Sequence, residues 1–227
     1  MVLRQRQLPL FYLRGDVMAI LYKTVKNAGM AESVVEKSKF IVNLKPVECR
    51  SEAEEFFKEI KKIHKDATHN VPAFILGDKQ QEVWASDDGE PQGTAGVPIV
   101  RMLEQEGVTN LCLVVTRYFG GIKLGTGGLV RAYTNIAKSG LEKAGTVEVL
   151  ELEELTFQIE YTYYSKMKQL DTEGKFQIAE SKFEDNITLC VRFEPEKHSD
   201  ILNLLNEITN GSVTVLNEEK VIGKRDL

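Results

Sequence analysis

The segment Arg117–Tyr133, RYFGGIKLGTGGLVRAY, constrains the fold most, because it joins two strongly patterned stretches across five glycines. The run that leads into it, NLCLVVTRYF, is typical of a strand buried on both faces. After the glycines, Leu129, Tyr133 and Ile136 recur at helical spacing. The chain is therefore predicted to pass from a buried strand into a long helix that begins near Thr126 or Gly127 and ends near Gly145.

This glycine-rich segment is also the first candidate site. Its spacing is not that of a P-loop, and Val130 occupies the third glycine position of the dinucleotide-binding template. Three interpretations remain open: a tight joint that only needs glycine, an anion or RNA contact, and a catalytic phosphate cradle. The candidate binding residues are Arg117, Gly120, Gly121, Lys123, Gly125, Gly127, Gly128 and Arg131.

A second dense stretch, SDDGEPQGTAG, begins at Ser86 and carries Asp87, Asp88 and Glu90. Three carboxylates this close could bind a hard metal ion such as magnesium, or act as an acid–base pair. They could equally stabilise the start of the next helix or pair with Arg117 and Arg131. We expect these carboxylates to hold the glycine-rich segment in place. The sequence does not decide whether a metal ion binds there.

Charge is distributed unevenly along the chain. The net charge is −5, which argues against nucleic-acid binding over the whole surface. Residues 108–141, however, contain no Asp or Glu, whereas residues 146–227 hold 17 acidic residues against 9 basic ones. The pattern indicates a local basic patch on an acidic protein.

Several function classes receive no support from the residues. No apolar run is long enough to span a membrane, and no secretory signal is predicted. The three cysteines, Cys49, Cys112 and Cys190, form no CxxC pair, so neither a zinc site nor a disulfide framework is indicated. A cytoplasmic protein is expected, with no cofactor. No nucleophile motif is present, which favours a non-catalytic role.

The fold class predicted is α+β, in two domains. Residues 1–17 are predicted to be an N-terminal extension, 18–145 the first domain and 146–227 the second. In the first domain, Ser51 with Glu54 indicates a capping box at the start of a helix. In the second, strand and helix patterns follow in the order βαββαβ, which is that of a ferredoxin-like sandwich.

The motifs SDDGEPQGTAGVPIV and VVTRYFGGIKLGTGGLVRAY together closely resemble the signature of the IMPACT/YigZ family. The earlier blocks KSKFIVNLKPV and KDATHNVPAF are also similar, although Val71-Pro72 replaces a Cys-aromatic pair that is frequent in relatives. The resemblance implies a first domain of the α/β type found in domain IV of elongation factor G, a ribosomal-protein domain-2-like fold. It implies a ferredoxin-like second domain, as in bacterial members.

The same resemblance implies a role connected with translation, since eukaryotic relatives regulate it. The resulting hypothesis is a non-catalytic regulator that binds RNA, the ribosome or a translation-associated protein through the basic glycine-rich segment. Two alternatives stay open: an enzyme of unknown reaction that uses magnesium and phosphate, and a pure protein-docking module.

Overall fold

The structure, a computed structural model, describes residues 20–227. The first half contains, in order, β1 (Ile20–Val25), β2 (Gly29–Val35), β3 (Ser38–Pro46), α1 (Arg50–Ile63), β4 (His69–Leu76), β5 (Glu82–Ala85), α2 (Gly96–Glu106), β6 (Leu111–Tyr118) and α3 (Gly125–Ala144). The second half contains β7 (Thr146–Ile159), α4 (Tyr164–Thr172), β8 (Gln177–Phe183), β9 (Ile187–Phe193), α5 (His198–Ile208) and β10 (Thr214–Asp226). Helices and antiparallel sheets are both present, so the predicted α+β class is confirmed.

The described chain divides into two compact units. Residues 21–148 and 226–227 form the first unit, and residues 149–225 account for nearly all of the second. The domain boundary predicted at residue 145 stays a prediction, and the proposed extension 1–17 lies outside the described residues.

The first unit is built on an antiparallel sheet of order β2-β3-β6-β4-β5. Strand β6 lies at its centre, where an uninterrupted apolar sequence is required because both faces are covered. Strand β1 pairs instead with β7, whose first three residues belong to this unit. The pattern that predicted a buried strand before the glycines is therefore explained by its central position.

Helices cover both faces of this sheet, in three layers. Helices α2 and α3 pack on one face, and the core between them and the sheet includes Val42, Ile99, Leu113, Tyr133 and Ile136. Helix α1 packs on the other face, where the core includes Phe56, Ile60, Phe74, Cys112 and Val114. Strand β6 contributes residues to both cores, and the chain continues from its last residue, Tyr118, into the glycines that precede α3.

The capping box predicted at Ser51 is wrong. Helix α1 begins at Arg50 with Cys49 as the residue before it, and no side chain in the described part of the chain caps that position. Ser51 is already inside the first turn, and its hydroxyl contacts the Cys49 Sγ at 3.0 Å. A different carboxylate serves this helix end: Glu52 accepts a hydrogen bond from the Glu48 N–H at 2.8 Å.

The second unit follows the predicted order βαββαβ. Strand β9 pairs antiparallel with both β7 and β8, and β10 pairs with β7. Its own core includes Phe157, Leu189, Val191, Phe193 and Leu205. Within residues 20–227, no helix is long and apolar enough to cross a membrane.

Candidate nucleic-acid interface

The segment between β6 and α3, residues Phe119–Leu124, is called here the glycine loop. It is largely exposed: Phe119 retains 47% of its accessible surface and Ile122 retains 38%. Helix α3 begins immediately afterwards, and no side chain of the described residues caps its first turn. The N–H groups of that turn have no partner inside the helix, so they can bind an anion that approaches from solvent.

Gly120 is required by a close approach to the hairpin between β2 and β3. A Cβ placed on it would lie 2.0 Å from the carbonyl carbon of Lys37, which is backbone and cannot move aside. The Gly120 N–H donates to Ser38 Oγ at 3.1 Å, and the Phe119 N–H donates to Thr68 Oγ1 at 3.0 Å. The loop is thus anchored on both sides.

The remaining glycines serve different needs. Gly121 and Gly125 have φ angles of 86° and 68°, in the left-handed region that glycine adopts without strain. Gly127 and Gly128 lie in the first turn of α3 with no such requirement. A Cβ on Gly128 would lie only 3.0 Å from the Leu124 Cβ. The need for glycine at the strand–helix joint therefore accounts for four of the five glycines, and contact between any of them and RNA stays a prediction.

Two predicted cations lie at the surface, Lys123 within the loop and Arg131 in helix α3 that follows it. Lys123 and Arg131 are both exposed, and neither forms an ion pair with any residue in the part of the chain that the structure describes. Lys37, which was not among the predicted binding residues, is exposed and lies in the hairpin whose backbone abuts Gly120. Only the folded hairpin brings Lys37 to this place, and no spacing rule in the sequence could have indicated it.

Arg117, by contrast, lies beneath the loop. Its side chain is only 6% exposed, and its Nη1 donates to Glu90 Oε1 at 2.7 Å. A second bond runs from Nη2 to Ser38 Oγ at 3.3 Å. The guanidinium also lies 5.4 Å from the ring centres of both Phe40 and Phe119. This position supports the loop from inside, and direct contact between Arg117 and phosphate stays a prediction.

Glu90 joins three parts of the first unit at one buried point. Besides Arg117, its Oε1 accepts a hydrogen bond from the Tyr133 hydroxyl of α3 at 2.7 Å. The Nε2 of His69 in β4 lies 3.8 Å from the same oxygen. Burial, reinforced by the neighbouring Glu90 carboxylate, raises the pKa of Tyr133 far above its usual value. Tyr133 therefore remains a protonated donor.

The other two carboxylates of residues 86–96, called here the acidic loop, accept hydrogen bonds from backbone N–H groups. Asp87 accepts hydrogen bonds from Gly93, Ala95 and Gly96 at 2.8, 3.1 and 2.9 Å, at the start of α2. Asp88 accepts from the Asn70 N–H at 2.6 Å and pairs with Lys61 at 3.3 Å. Within residues 20–227, no three His, Cys, Asp or Glu side chains are grouped to hold a metal ion. The contacts of Asp87 and Glu90 match the alternative in which these carboxylates stabilise the start of the next helix and pair with an arginine.

The thiols provide a test of burial. Burial raises the pKa of Cys112 to about 12 and that of Cys190 to about 11, whereas Cys49 is exposed. Because the thiolate is the reactive form, iodoacetamide should alkylate Cys49 first in the native protein and reach Cys112 only in denaturant. Peptide mass spectrometry after timed quenching measures this, and equal native rates at Cys49 and Cys112 would contradict the buried position.

Comparison with known proteins then identifies the family. The model described as the Impact N-terminal domain matches residues 36–141. The IMPACT family member YvyE of Bacillus subtilis is 41% identical over 190 residues, covering 84% of this chain and 88% of the relative. The chain belongs to the IMPACT family. The IMPACT family member YigZ of Escherichia coli is 34% identical over 184 residues, covering 80% and 90% of the two chains.

A solved structure also resembles this IMPACT family member. The crystal structure of a protein described as hypothetical aligns with a TM-score of 0.55 at 32% identity, covering 86% of this chain and 96% of the other. The segment matched by the IMPACT N-terminal domain contains the whole glycine loop, the acidic loop and Lys37. The joint between β6 and α3 and the carboxylates that support it thus lie in one family domain.

Proposed function

We propose that this IMPACT family member is a non-catalytic, translation-associated regulator that binds RNA through the glycine loop. The observation that carries the proposal is the exposed, acid-free loop at the start of α3. Among residues 20–227, Lys123 and Arg131 have no ion-pair partner and the start of α3 has no side-chain cap. The connection with translation is supported by the family resemblance, and the RNA contact is supported by the chemistry of the loop.

Phosphate is the chemical group that this arrangement suits best. The first-turn N–H groups of α3 carry partial positive charge from the helix dipole and are open to solvent. Lys123 and Arg131 add two full charges, and no internal carboxylate competes for them within the described residues. Glycines at 125, 127 and 128 leave the backbone accessible, so a phosphate oxygen can come within hydrogen-bonding distance.

The acidic remainder of the chain limits how RNA can bind. Residues 146–227 carry 17 acidic and 9 basic residues, so the second half repels a phosphate backbone. RNA contact is therefore confined to the loop region, and the second unit is better suited to contact a protein partner.

The magnesium-enzyme alternative has less support. A metal site would need carboxylate oxygens with free coordination positions, but Asp87, Asp88 and Glu90 already accept hydrogen bonds or ion pairs from the protein. Recruiting them for a metal would release the start of α2, strand β4 and the buried Arg117. No contact among the described residues specifically favours a pure protein-docking module. That alternative is one outcome of the experiment below.

Sedimentation of tagged protein through sucrose gradients in cell lysate tests the proposal. Wild type should migrate with ribosomal particles or other RNA at low salt and leave them as salt rises, because phosphate contacts release counterions. The variant Lys123→Glu/Arg131→Glu should remain at the top, and RNase treatment should return wild type there.

A matched double charge reversal provides the control. Lys58 on α1 and Lys143 in the last turn of α3 are both exposed and lie outside the glycine loop. Lys58→Glu/Lys143→Glu changes net charge equally and should sediment like wild type. If all three proteins stay at the top at every salt concentration, or if RNase has no effect on a sedimenting complex, RNA binding is excluded.

A further inference from the structure

Phe119 is the one aromatic residue in the sequence of the glycine loop, and it is half exposed. Its 47% exposure leaves much of a large apolar ring in solvent, in the loop that also contains the exposed Lys123, and the ring is not part of either core of the first unit. Large apolar side chains at the surface are common singly, but this ring is aromatic and shares its loop with an exposed lysine, a combination that suits a ligand with both flat and anionic parts.

The ring is held in place by a stack of three groups. The Arg117 guanidinium lies 5.4 Å from the Phe119 ring centre and the same distance from that of buried Phe40. Arg117 is fixed in turn by Glu90 and Ser38, and the Phe119 N–H is fixed by Thr68. The part of the ring that Arg117 leaves uncovered is thus presented in a set orientation, which lowers the entropic cost of binding a second flat group.

Phe119 is also close to the phosphate-binding features. It is four residues from Lys123, so their Cα atoms can be no more than about 14 Å apart. The hairpin residue Lys37 abuts the neighbouring Gly120. A short stretch of one nucleic-acid strand can therefore contact the ring and the cations together.

We infer that the glycine loop binds unpaired RNA, with one base stacked on Phe119 and an adjacent phosphate on Lys123 and the start of α3. This inference rests on the proposed function and narrows its ligand from RNA in general to single strands, loops or bulges. In a duplex the base faces already stack on each other, so the Phe119 ring has nothing to cover.

The composition of the loop adds a second expectation. Residues 119–124, FGGIKL, contain no amide, hydroxyl or carboxylate side chain that could distinguish base edges. Stacking accepts every base because every base has an aromatic face. The loop therefore selects the unpaired state rather than a sequence.

Fluorescence anisotropy with the full chain tests this inference. The probes are a labelled 12-nucleotide RNA of unstructured sequence and the same strand in a 12-base-pair duplex. Wild type should bind the single strand more tightly, and Phe119→Ala should weaken that binding by about 5- to 150-fold. Phe119→Tyr should retain it, and the salt dependence of Phe119→Ala should match that of wild type because no phosphate contact is lost.

Control variants separate stacking from general apolar contact and from folding. Phe183 on β8 is 54% exposed but lies in the second unit, so Phe183→Ala should bind RNA like wild type. Ile122→Ala removes an exposed apolar group from the same loop without removing an aromatic face. Circular dichroism of each variant checks that it is folded.

The outcomes distinguish this inference from the proposed function. Equal affinity for single strand and duplex, with no loss in Phe119→Ala but a loss in Lys123→Glu, overturns the stacking inference and leaves RNA binding intact. Absence of binding to either probe by wild type overturns both. Selective loss of single-strand binding in Phe119→Ala, with Phe119→Tyr retained, supports both.

Discussion

Replacing Glu90 with alanine is expected to destabilise the protein by about 3–5 kcal/mol. The substitution removes the anion that pairs with Arg117 at 2.7 Å, and the guanidinium side chain is only 6% exposed. It also removes the acceptor of the Tyr133 hydroxyl. A buried cation without its partner bears most of its desolvation cost, which far exceeds the loss of an ordinary surface ion pair. Urea denaturation followed by circular dichroism measures the difference in free energy of unfolding.

A second substitution identifies the cause of that loss. Glu90→Ala/Arg117→Met removes both charges and should be more stable than Glu90→Ala alone by about 1–3 kcal/mol, because no uncompensated cation remains. Glu104→Ala, at an exposed position on α2, should lie within about 0.5 kcal/mol of wild type. A cost below about 1 kcal/mol for Glu90→Ala would mean that water reaches Arg117, and the stack beneath Phe119 would then be incorrect.

The order of helices and strands around the site could be predicted because the hydrophobic patterns of the sequence are strong there. Strand β6 is an uninterrupted apolar run at the centre of the sheet, and α3 repeats buried residues at helical spacing. Strand β2 was missed, since Gly29–Val35 alternates half-buried and exposed residues with no apolar run. It becomes a strand through its register with β3, where Ala31 lies opposite Val42, a tertiary effect that local sequence does not contain.

At the candidate site, too, some features could be predicted from the sequence and others depend on the fold. Pairing of the acidic loop with an arginine was one of the alternatives open from sequence, and the structure brings Glu90 to Arg117. The sequence could not show that Arg117 would be buried while Lys123 and Arg131 stayed exposed, because all three are cations in one acid-free stretch. The distinction depends on where each residue lies in the fold. Arg117 lies in β6 beneath the loop, whereas Lys123 lies in the loop and Arg131 lies on α3. Contact between Gly120 and Lys37 likewise depends on a hairpin that is distant in sequence.

Gly120→Ala is expected to be the most damaging glycine substitution in the loop, at about 1–3 kcal/mol or more. The new Cβ would lie 2.0 Å from the Lys37 carbonyl carbon and 2.5 Å from the Ser38 nitrogen, and both are backbone atoms of a tight hairpin. Either the hairpin or the loop must move, which breaks the bond from the Gly120 N–H to Ser38 Oγ. Thermal and urea unfolding measure the loss.

Gly127→Ala is the matched comparison, because it makes the same chemical change seven residues later in the first turn of α3. Its Cβ would meet only the Arg131 Nη1, at 4.0 Å. Alanine is favoured over glycine in a helix by about 0.5–1 kcal/mol, so this variant should equal or exceed wild type in stability. Equal losses in the two variants would contradict the contact at Gly120. A loss confined to Gly120→Ala, with RNA affinity reduced in the same variant, would show that the joint holds the loop in its binding conformation.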